Sequence, residues 1–593
     1  MMCDREGPAV SRRAALAGGA GALVSSAGCV QRLRIASSDG GTESLVVRIT
    51  FPAGDYDPFA AAIARRVADG LEAAGIDYRT VPQPQDELYR QVLLDFDFDC
   101  YISRLPFHRQ PDPDVLYSLL HSRFRGEWGW QNPFGFTNIE CDDLLATQRR
   151  GSDEERIAAV SDLQQLLGRT QPFVPLVRPT VITGVRRNRF DGWETALQAP
   201  PTGLLELNRV AGDGLRLGST DPRTTVNRNP ISAIHSNDLS VLGLLYDSLA
   251  VTRHGEFVPW LARDIEWEGD SDPEANTLHA TLTLRSDARW HDGEPLTASD
   301  VRFTYRFLQD TADGGAVEPI AAPRFRGESS LVESATVLDS RTVRLTFEET
   351  TRAVAERALT VPVLPVHIWV DKTEVVSVAG IELESATKAL VWDNPGPVGS
   401  GPLQFESATA QSAVELTRFD DHFLYALDDG ETLSGITAPP FETLTVNTQS
   451  SSNAVVESLS VGDIDASSTP LESGAVERIE DEPALSLVGT PSYASYHIGF
   501  NTRSSPFGDP NFRRTVARLC DKAAVVREVF DGYGEPIASP LAGTDWLADD
   551  LAWDGGDPAA PFLGIDGEVD AQRAREAFRD IGYRYNENNE LVV

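Results

Sequence analysis

One loop carries three basic side chains within six residues. Tyr101-Ile-Ser-Arg-Leu-Pro-Phe-His-Arg-Gln-Pro-Asp-Pro113 carries Arg104, His108 and Arg109 around Phe107. Cations placed together in this way attract a carboxylate or phosphate and repel an ammonium group. An ordinary solvated surface would account for the same residues. Motifs that make or break bonds are missing, for the chain has no Gly-x-Ser-x-Gly elbow, His-Glu-x-x-His helix or phosphate loop. Acidic pairs such as Asp463 and Asp465 are too common in this chain to mark a catalytic dyad. Cys3, Cys29, Cys100, Cys141 and Cys520 include no C-x-x-C pair, so neither a metal nor any other cofactor is expected, and no disulfide framework. Cys100, Cys141 and Cys520 read as small buried apolar residues.

Charge narrows the partners. The chain has 593 residues, with 52 basic against 89 acidic side chains and a net charge of −37. Nucleic acid and anionic lipid surfaces repel such a molecule. Lys372, Lys388 and Lys522 are its lysines, and arginine supplies nearly all other positive charge. An acidic, lysine-poor surface suits work in high salt, where screening removes self-repulsion, although any acidic secreted protein shares the trait. The length exceeds what one core serves and predicts two or three lobes.

The elements that must position a site are readable in places. Leu278, Ala280, Leu282 and Leu284 alternate with polar neighbours, predicting a strand, and Asp292-Gly293 supplies a turn. Thr297, followed three residues later by Asp300, predicts a capping box for a helix with Val301, Tyr305 and Leu308 on one face. Near the front, Leu45–Phe51 reads as a buried strand, and Phe59, Ile63, Val67 and Leu71 as a helix ending at Gly75. A strand over Ile76–Val81, a helix over Leu88–Leu94 and a third strand over Phe96–Cys100 follow, an α/β alternation. Ser152 and Glu155 predict a second capping box, ahead of Ile157, Val160, Leu163 and Leu167.

The stretch Ala288-Arg-Trp-His-Asp-Gly-Glu-Pro-Leu-Thr-Ala-Ser-Asp-Val301 resembles a signature of the family 5 solute-binding proteins, receptors of dipeptide and oligopeptide ABC importers. That resemblance implies a two-lobed α/β fold of the periplasmic-binding-protein type (class II, large cluster, with an extra subdomain). It also implies binding rather than catalysis, with a small-molecule or peptide solute and ABC permease subunits as partners. The order of segments departs from the family's. Its usual beginning resembles Gly214–Asp221 and continues through Leu245-Tyr-Asp-Ser-Leu249. Its carboxy-terminal portion resembles the stretch from Leu45 through the Asp112-Pro113 loop and Asn138–Leu145 to the strand at Pro172–Leu176.

We therefore expect a circular permutation, with old termini joined through Ala211-Gly-Asp-Gly214 and Val593 within about 20 Å of Leu45, the reach of some six extended residues. Residues 45–178 would be the first part of the second lobe, 179–212 a crossover, 213–489 the first lobe with its extra subdomain, and 490–593 the rest of the second lobe. A small α/β module fused to a truncated receptor is the alternative.

The beginning of the chain reads as an address. Ser11-Arg12-Arg13-Ala14-Ala15-Leu16 and an apolar run to Val24 resemble a twin-arginine export signal, and Ser26-Ala27-Gly28-Cys29 resembles a lipobox that would lipidate Cys29. The run is well short of the roughly 20 residues a membrane span needs. Residues 1–29 would be signal and 30–44 a tether, placing the protein at the outer face of the membrane, held by its lipid.

In peptide-binding members, the loop matching Tyr101–Pro113 carries an aspartate that pairs with the peptide's amino group. Here that place falls on His108 or Arg109, which implies a solute other than a plain peptide with a free amino terminus, possessing instead an anionic group. Tyr246 and Asn501 lie in motifs that resemble lobe-facing segments, and each reads equally well as a hydrogen-bonded core residue. Trp290 and His291 are expected to be structural. A monomeric importer receptor is the leading reading, with an extracellular hydrolase or a sensor without transport as alternatives.

Overall fold

The computed structural model describes residues 44–592 apart from 55, 106, 108–110, 199–201, 233–240, 254, 270–276, 377–385, 427–432, 434, 435 and 437. The twin-arginine stretch, Cys29 and the tether up to residue 43 lie outside the described residues, as do His108, Arg109 and Val593.

Local signals set the first elements. Strand β1 (Val46–Pro52) leads to helix α1 (Pro58–Ala73), whose amino end is capped by Asp57, the carboxylate accepting from the Ala60 N–H at 3.0 Å. Ile63, Val67 and Leu71 are buried along one side of α1. Gly75 follows with φ +77°, and a Cβ there would lie 2.1 Å from the Asn589 carbonyl, so glycine is needed both for the turn and for the approach of the chain's last hairpin. Strand β2 (Asp77–Gln83) pairs in parallel with β1.

The third strand differs from the sequence reading. It runs over Cys100–Arg104 (β3) rather than Phe96–Cys100. Phe96 has φ +53°, and the Asn501 side-chain amide donates to the Phe96 and Phe98 carbonyls at 3.0 and 2.9 Å. A left-handed residue and carbonyls bonded to a side chain cannot join a ladder, so pairing starts four residues later.

A long strand β4 (Phe173–Arg186) then organises the sheet. With β5 (Gly214–Ser219), β6 (Leu403–Thr409), β7 (Ala413–Arg418), β8 (Thr443–Thr448), β9 (Ala466–Ser467), β10 (Leu485–Pro491) and β11 (Tyr496–Phe500), the order across it is β6-β7-β8-β5-β9-β4-β11-β3-β1-β2. β10 and the short Gly534–Pro536 strand also pair with β4. The first half of β4 pairs with β11, and its second half with β10 and β9.

That division of β4 follows two separate sets of apolar cores. In one body, Leu45, Ile49, Ile63, Val174 and Leu176 pack with Ile498, Phe512, Phe578 and Leu591, so the front and rear of the chain fill one core. An adjoining cluster includes Phe98, Phe124, Leu163 and Leu541. The other body draws its cores from residues between Ile182 and Val488. Its main core runs under a separate antiparallel sheet ordered Ala262–Glu268, His279–Leu284, Thr342–Phe347, Val332–Val337. Here both halves of the predicted capping box form: the Thr297 N–H donates to Asp300 at 2.9 Å, and Val301, Tyr305 and Leu308 are buried. The Ser152–Glu155 box forms as well. The chain thus passes between bodies along β4 and again between β10 and β11.

The two ends of the described chain meet. The Leu45 N–H donates to the Leu591 carbonyl at 2.9 Å, Ser44 bridges Val592, and the Leu591 N–H donates to the Gly75 carbonyl at 2.7 Å. The first two hundred residues are therefore not a free-standing unit, because β3 lies between β1 and β11 in one sheet.

Candidate ligand cleft

Between the bodies lies a cleft of ≈ 1370 Å³. Phe107, Trp130, Gln131, Tyr493 and Trp546 face it from one body, and Tyr246, Phe257, Trp260 and Arg324 from the other. Aromatic walls with a few polar groups are the usual composition of a small-molecule site.

One side of the cleft is tied by ion pairs across the two bodies. Asp114 is fully buried and accepts from Gln148 Nε2 at 2.7 Å, from Arg149 through Nε and Nη2, and from Arg357 Nη1 on the opposite body. Arg357 Nη2 also donates to Glu328 at 2.9 Å. Burial pushes the Asp114 pKa up, but the guanidiniums of Arg149 and Arg357 outweigh it, and the net shift is downward. Arg326 makes a two-pronged contact with Glu127 at 2.7 and 3.0 Å, again between bodies. Gln131 Nε2 donates to the Pro323 carbonyl at 2.9 Å, which holds the Trp130-bearing stretch against the one carrying Arg324.

The remaining charged groups of the cleft differ in how far they are satisfied. Asp112 accepts from Arg156 at 2.6 Å. Asp247 accepts from Trp260 Nε1 at 2.8 Å, and its second oxygen stands 3.4 Å from His422 Nε2. Arg178 lies 3.3 Å from Glu535, while its buried Nε has no partner among the described residues. Arg324 donates from Nη1 to the Pro230 carbonyl at 2.8 Å and lies 5.2 Å from the Phe325 ring centroid. Burial pushes its pKa down to about 10.

The residues singled out from sequence separate into three groups. Phe107 and Tyr246 line the cleft, with the Tyr246 hydroxyl accepting from Asn394 Nδ2 at 2.8 Å. Arg104 and Asn501 are not among its lining residues. Arg104 lies at the end of β3, 3.8 Å from Asp57 and over the Tyr496 ring. Asn501 is buried, and besides its two amide bonds its Oδ1 accepts from the Arg503 N–H at 3.2 Å. His108, Arg109 and Cys29 lie outside the described residues. Trp290 is fully buried, and His291 bridges Gly399 N–H and the Gly401 carbonyl. Sequence reasoning did not find Trp130, Arg178, Arg324 or Arg357. Their partners are remote in the chain, and no local spacing marks them.

A sequence profile described as "Bacterial extracellular solute-binding proteins, family 5 Middle" matches residues 256–592, more than half of the chain. The chain belongs to this family. Relatives include a Brucella ovis protein named as an ABC transporter peptide-binding protein, 25% identical over 305 residues, covering 51% of this chain and 49% of that one. The oligopeptide-binding protein AppA of Bacillus subtilis is 24% identical over 269 residues, covering 45% and 43%. The dipeptide-binding protein of Escherichia coli is 21% identical over 320 residues, covering 51% and 53%. The chain thus spans about half the length of the curated relatives it matches. Among solved structures, AppA from B. subtilis in complex with a nonapeptide has a TM-score of 0.45 at 21% identity, covering 63% of this chain and 65% of that one. Like these relatives, the family 5 chain is classed with binding proteins, and no described helix is long and apolar enough to cross a membrane.

Proposed function

We propose that this family 5 protein is an extracytoplasmic receptor that captures a peptide-like or other small solute and delivers it to the permease of an ABC importer. The observation that carries the reading is the ≈ 1370 Å³ cleft, walled by aromatic side chains from two bodies that the chain joins through two crossings. Hinged bodies of this kind turn solute binding into a shape change that a partner can read. The two bodies serve as the receptor's lobes, 45–178 with 490–593 forming one and 213–489 the other. Binding without catalysis is the reading favoured by the names of the relatives.

Anchoring by a lipidated Cys29 after twin-arginine export, a monomeric state and adaptation to high salt belong to the same proposal, on the residue patterns and the net charge of −37. So does circular permutation. It is supported by the Leu45–Leu591 hydrogen bond and by a core to which residues 45–177 and 496–591 both contribute, although the family profile reaches only the latter.

The test is mass spectrometry of small molecules released on denaturing natively purified protein, followed by their return in a thermal-shift assay. A true solute at a hundred times its Kd stabilises the native state by about 2.7 kcal/mol. Failure to find a stabilising solute in the eluate or in a broad solute library, or chemical turnover of the solute found, would overturn the reading.

A further inference from the structure

We infer that the captured solute carries an oxyanion and that Arg324 holds it, a deepening that rests on the receptor reading above. The other arginines of the cleft each have a carboxylate partner. Arg357 is matched by Asp114 and Glu328, Arg326 by Glu127, and Arg178 by Glu535. Arg324 has no carboxylate within ion-pair distance among the described residues, and its bonded acceptor there is the single Pro230 carbonyl. A guanidinium offers five N–H donors in a flat fork, so most of its capacity is left for a carboxylate or phosphate.

The surroundings favour such a guest. Burial destabilises this cation and, against a smaller opposing pull from the Glu328 carboxylate that Arg357 already holds, lowers its pKa to about 10, a cost that an arriving anion offsets, yet leaves it charged at neutral pH. Four acids of the cleft are already engaged, Asp112 by Arg156, Glu328 by Arg357, Glu356 by Arg352, and Asp247 by Trp260 Nε1 with His422 3.4 Å away. Glu194 and Asp545 also border the cleft but are exposed, where salt screens them. Trp130, which lines the same cleft beside the Gln131–Pro323 hydrogen bond, has a buried Nε1 donor with no partner among the described residues. Its ring and that of Phe325 supply apolar surface. The matching guest has an oxyanion adjoining an apolar or aromatic body.

The experiment is calorimetry and thermal shift on the full chain with four probes. These are acetyl-Phe-Gly-Phe with a free carboxylate, the same peptide as its C-terminal amide, phenyl phosphate, and Phe-Gly-Phe-amide with a free ammonium. Each is tested on wild type, Arg324→Gln and Arg324→Lys. One or both anions should bind, the phosphate and carboxylate arms showing which oxyanion is preferred, and the amide and the ammonium probe should be weaker. Arg324→Gln should weaken the anion about tenfold to a hundredfold, the worth of a charged hydrogen bond, while Arg324→Lys stays within about tenfold of wild type. Equal binding of acid and amide, or an unchanged Arg324→Gln, overturns the inference and leaves the receptor standing. If no probe binds, a co-purifying solute decides by its own charge, a neutral or cationic one counting against Arg324. If nothing small binds or co-purifies, the receptor reading itself falls.

Discussion

Asp114 and Arg357 stand on different bodies, 243 residues apart in sequence, and share one buried ion pair. Arg149, on the same body as Asp114, completes the cluster and lies with its guanidinium 3.3 Å from the Tyr117 ring centroid. The cleft is therefore closed on one side by charge pairing that needs no solute. Removing one charge of a buried cluster costs more than the pair itself contributes, because the others are left without a counter-charge.

The two partners should accordingly fail differently. Asp114→Asn strands the Arg149 guanidinium and leaves Arg357 with Glu328 alone, and should cost about 3–5 kcal/mol, read as a large fall in Tm. Arg357→Gln leaves Asp114 with Arg149, so stability should fall less, while the bodies separate and the radius of gyration rises in small-angle scattering. A compact Arg357→Gln, or an Asp114→Asn as stable as wild type, would show that the pair does not tie the bodies. Since Asp114 is held below the ordinary carboxylate range, the tie should persist from neutral pH down to about 4 and be lost only as pH falls through its depressed pKa.

His497 sets a second pH dependence, this time within one body. It is fully buried, pairs its Nε2 with the Tyr101 hydroxyl at 3.0 Å, and burial pushes its pKa down to about 3. The unfolded chain binds a proton near pH 6.5 that the folded one refuses, so stability is complete above 6.5 and is lost as pH falls toward 3. Between pH 6.5 and 5 this amounts to about 2 kcal/mol. His291, pushed down to about 4 by burial, titrates in the same window. Denaturant unfolding of wild type and His497→Gln between pH 7.5 and 4.5 should show a shallower slope in the variant, and parallel slopes would refute the assignment.

How far the sequence carried depended on range. The boxes Thr297–Asp300 and Ser152–Glu155 were legible because each is closed within one helical turn. The burial of Leu278, Ala280, Leu282 and Leu284 followed from alternation alone. Phe96–Cys100 misled because what denies it a ladder is a side chain 405 residues away in sequence, Asn501. In the cleft, Phe107 and Tyr246 were found through motif resemblance, whereas Arg324 looks in sequence like any other arginine and differs only in what fails to pair with it.

Asn501 gives a clean separation of scaffold from site. Its side chain makes three hydrogen bonds, to the Phe96 and Phe98 carbonyls and from the Arg503 N–H, and is absent from the cleft lining. Asn501→Ala leaves buried carbonyls unsatisfied and should lower stability by about 1–3 kcal/mol with solute affinity unchanged. A variant as stable as wild type but with weakened binding would make Asn501 a ligand residue instead.

The meeting of Leu45 with Leu591 allows the strongest test of chain order. A gene rearranged to begin at Gly214, run to Val593, continue through a linker of about six Gly/Ser residues into Ser44 and end at Ala211 keeps every pairing described here. A flexible link of that length spans about 13 Å on average, ample for residues joined by a hydrogen bond, and longer links add little entropy. The rearranged protein should give the same circular dichroism, unfold as one unit with a similar Tm, and bind the same solute. Residues 213–593 alone should aggregate, because loss of β3 and β4 strips β11 of both its neighbours and removes Ile49, Ile63 and Val174 from a shared core. A stable, solute-binding 213–593 fragment would instead support a fusion in which the front part is dispensable.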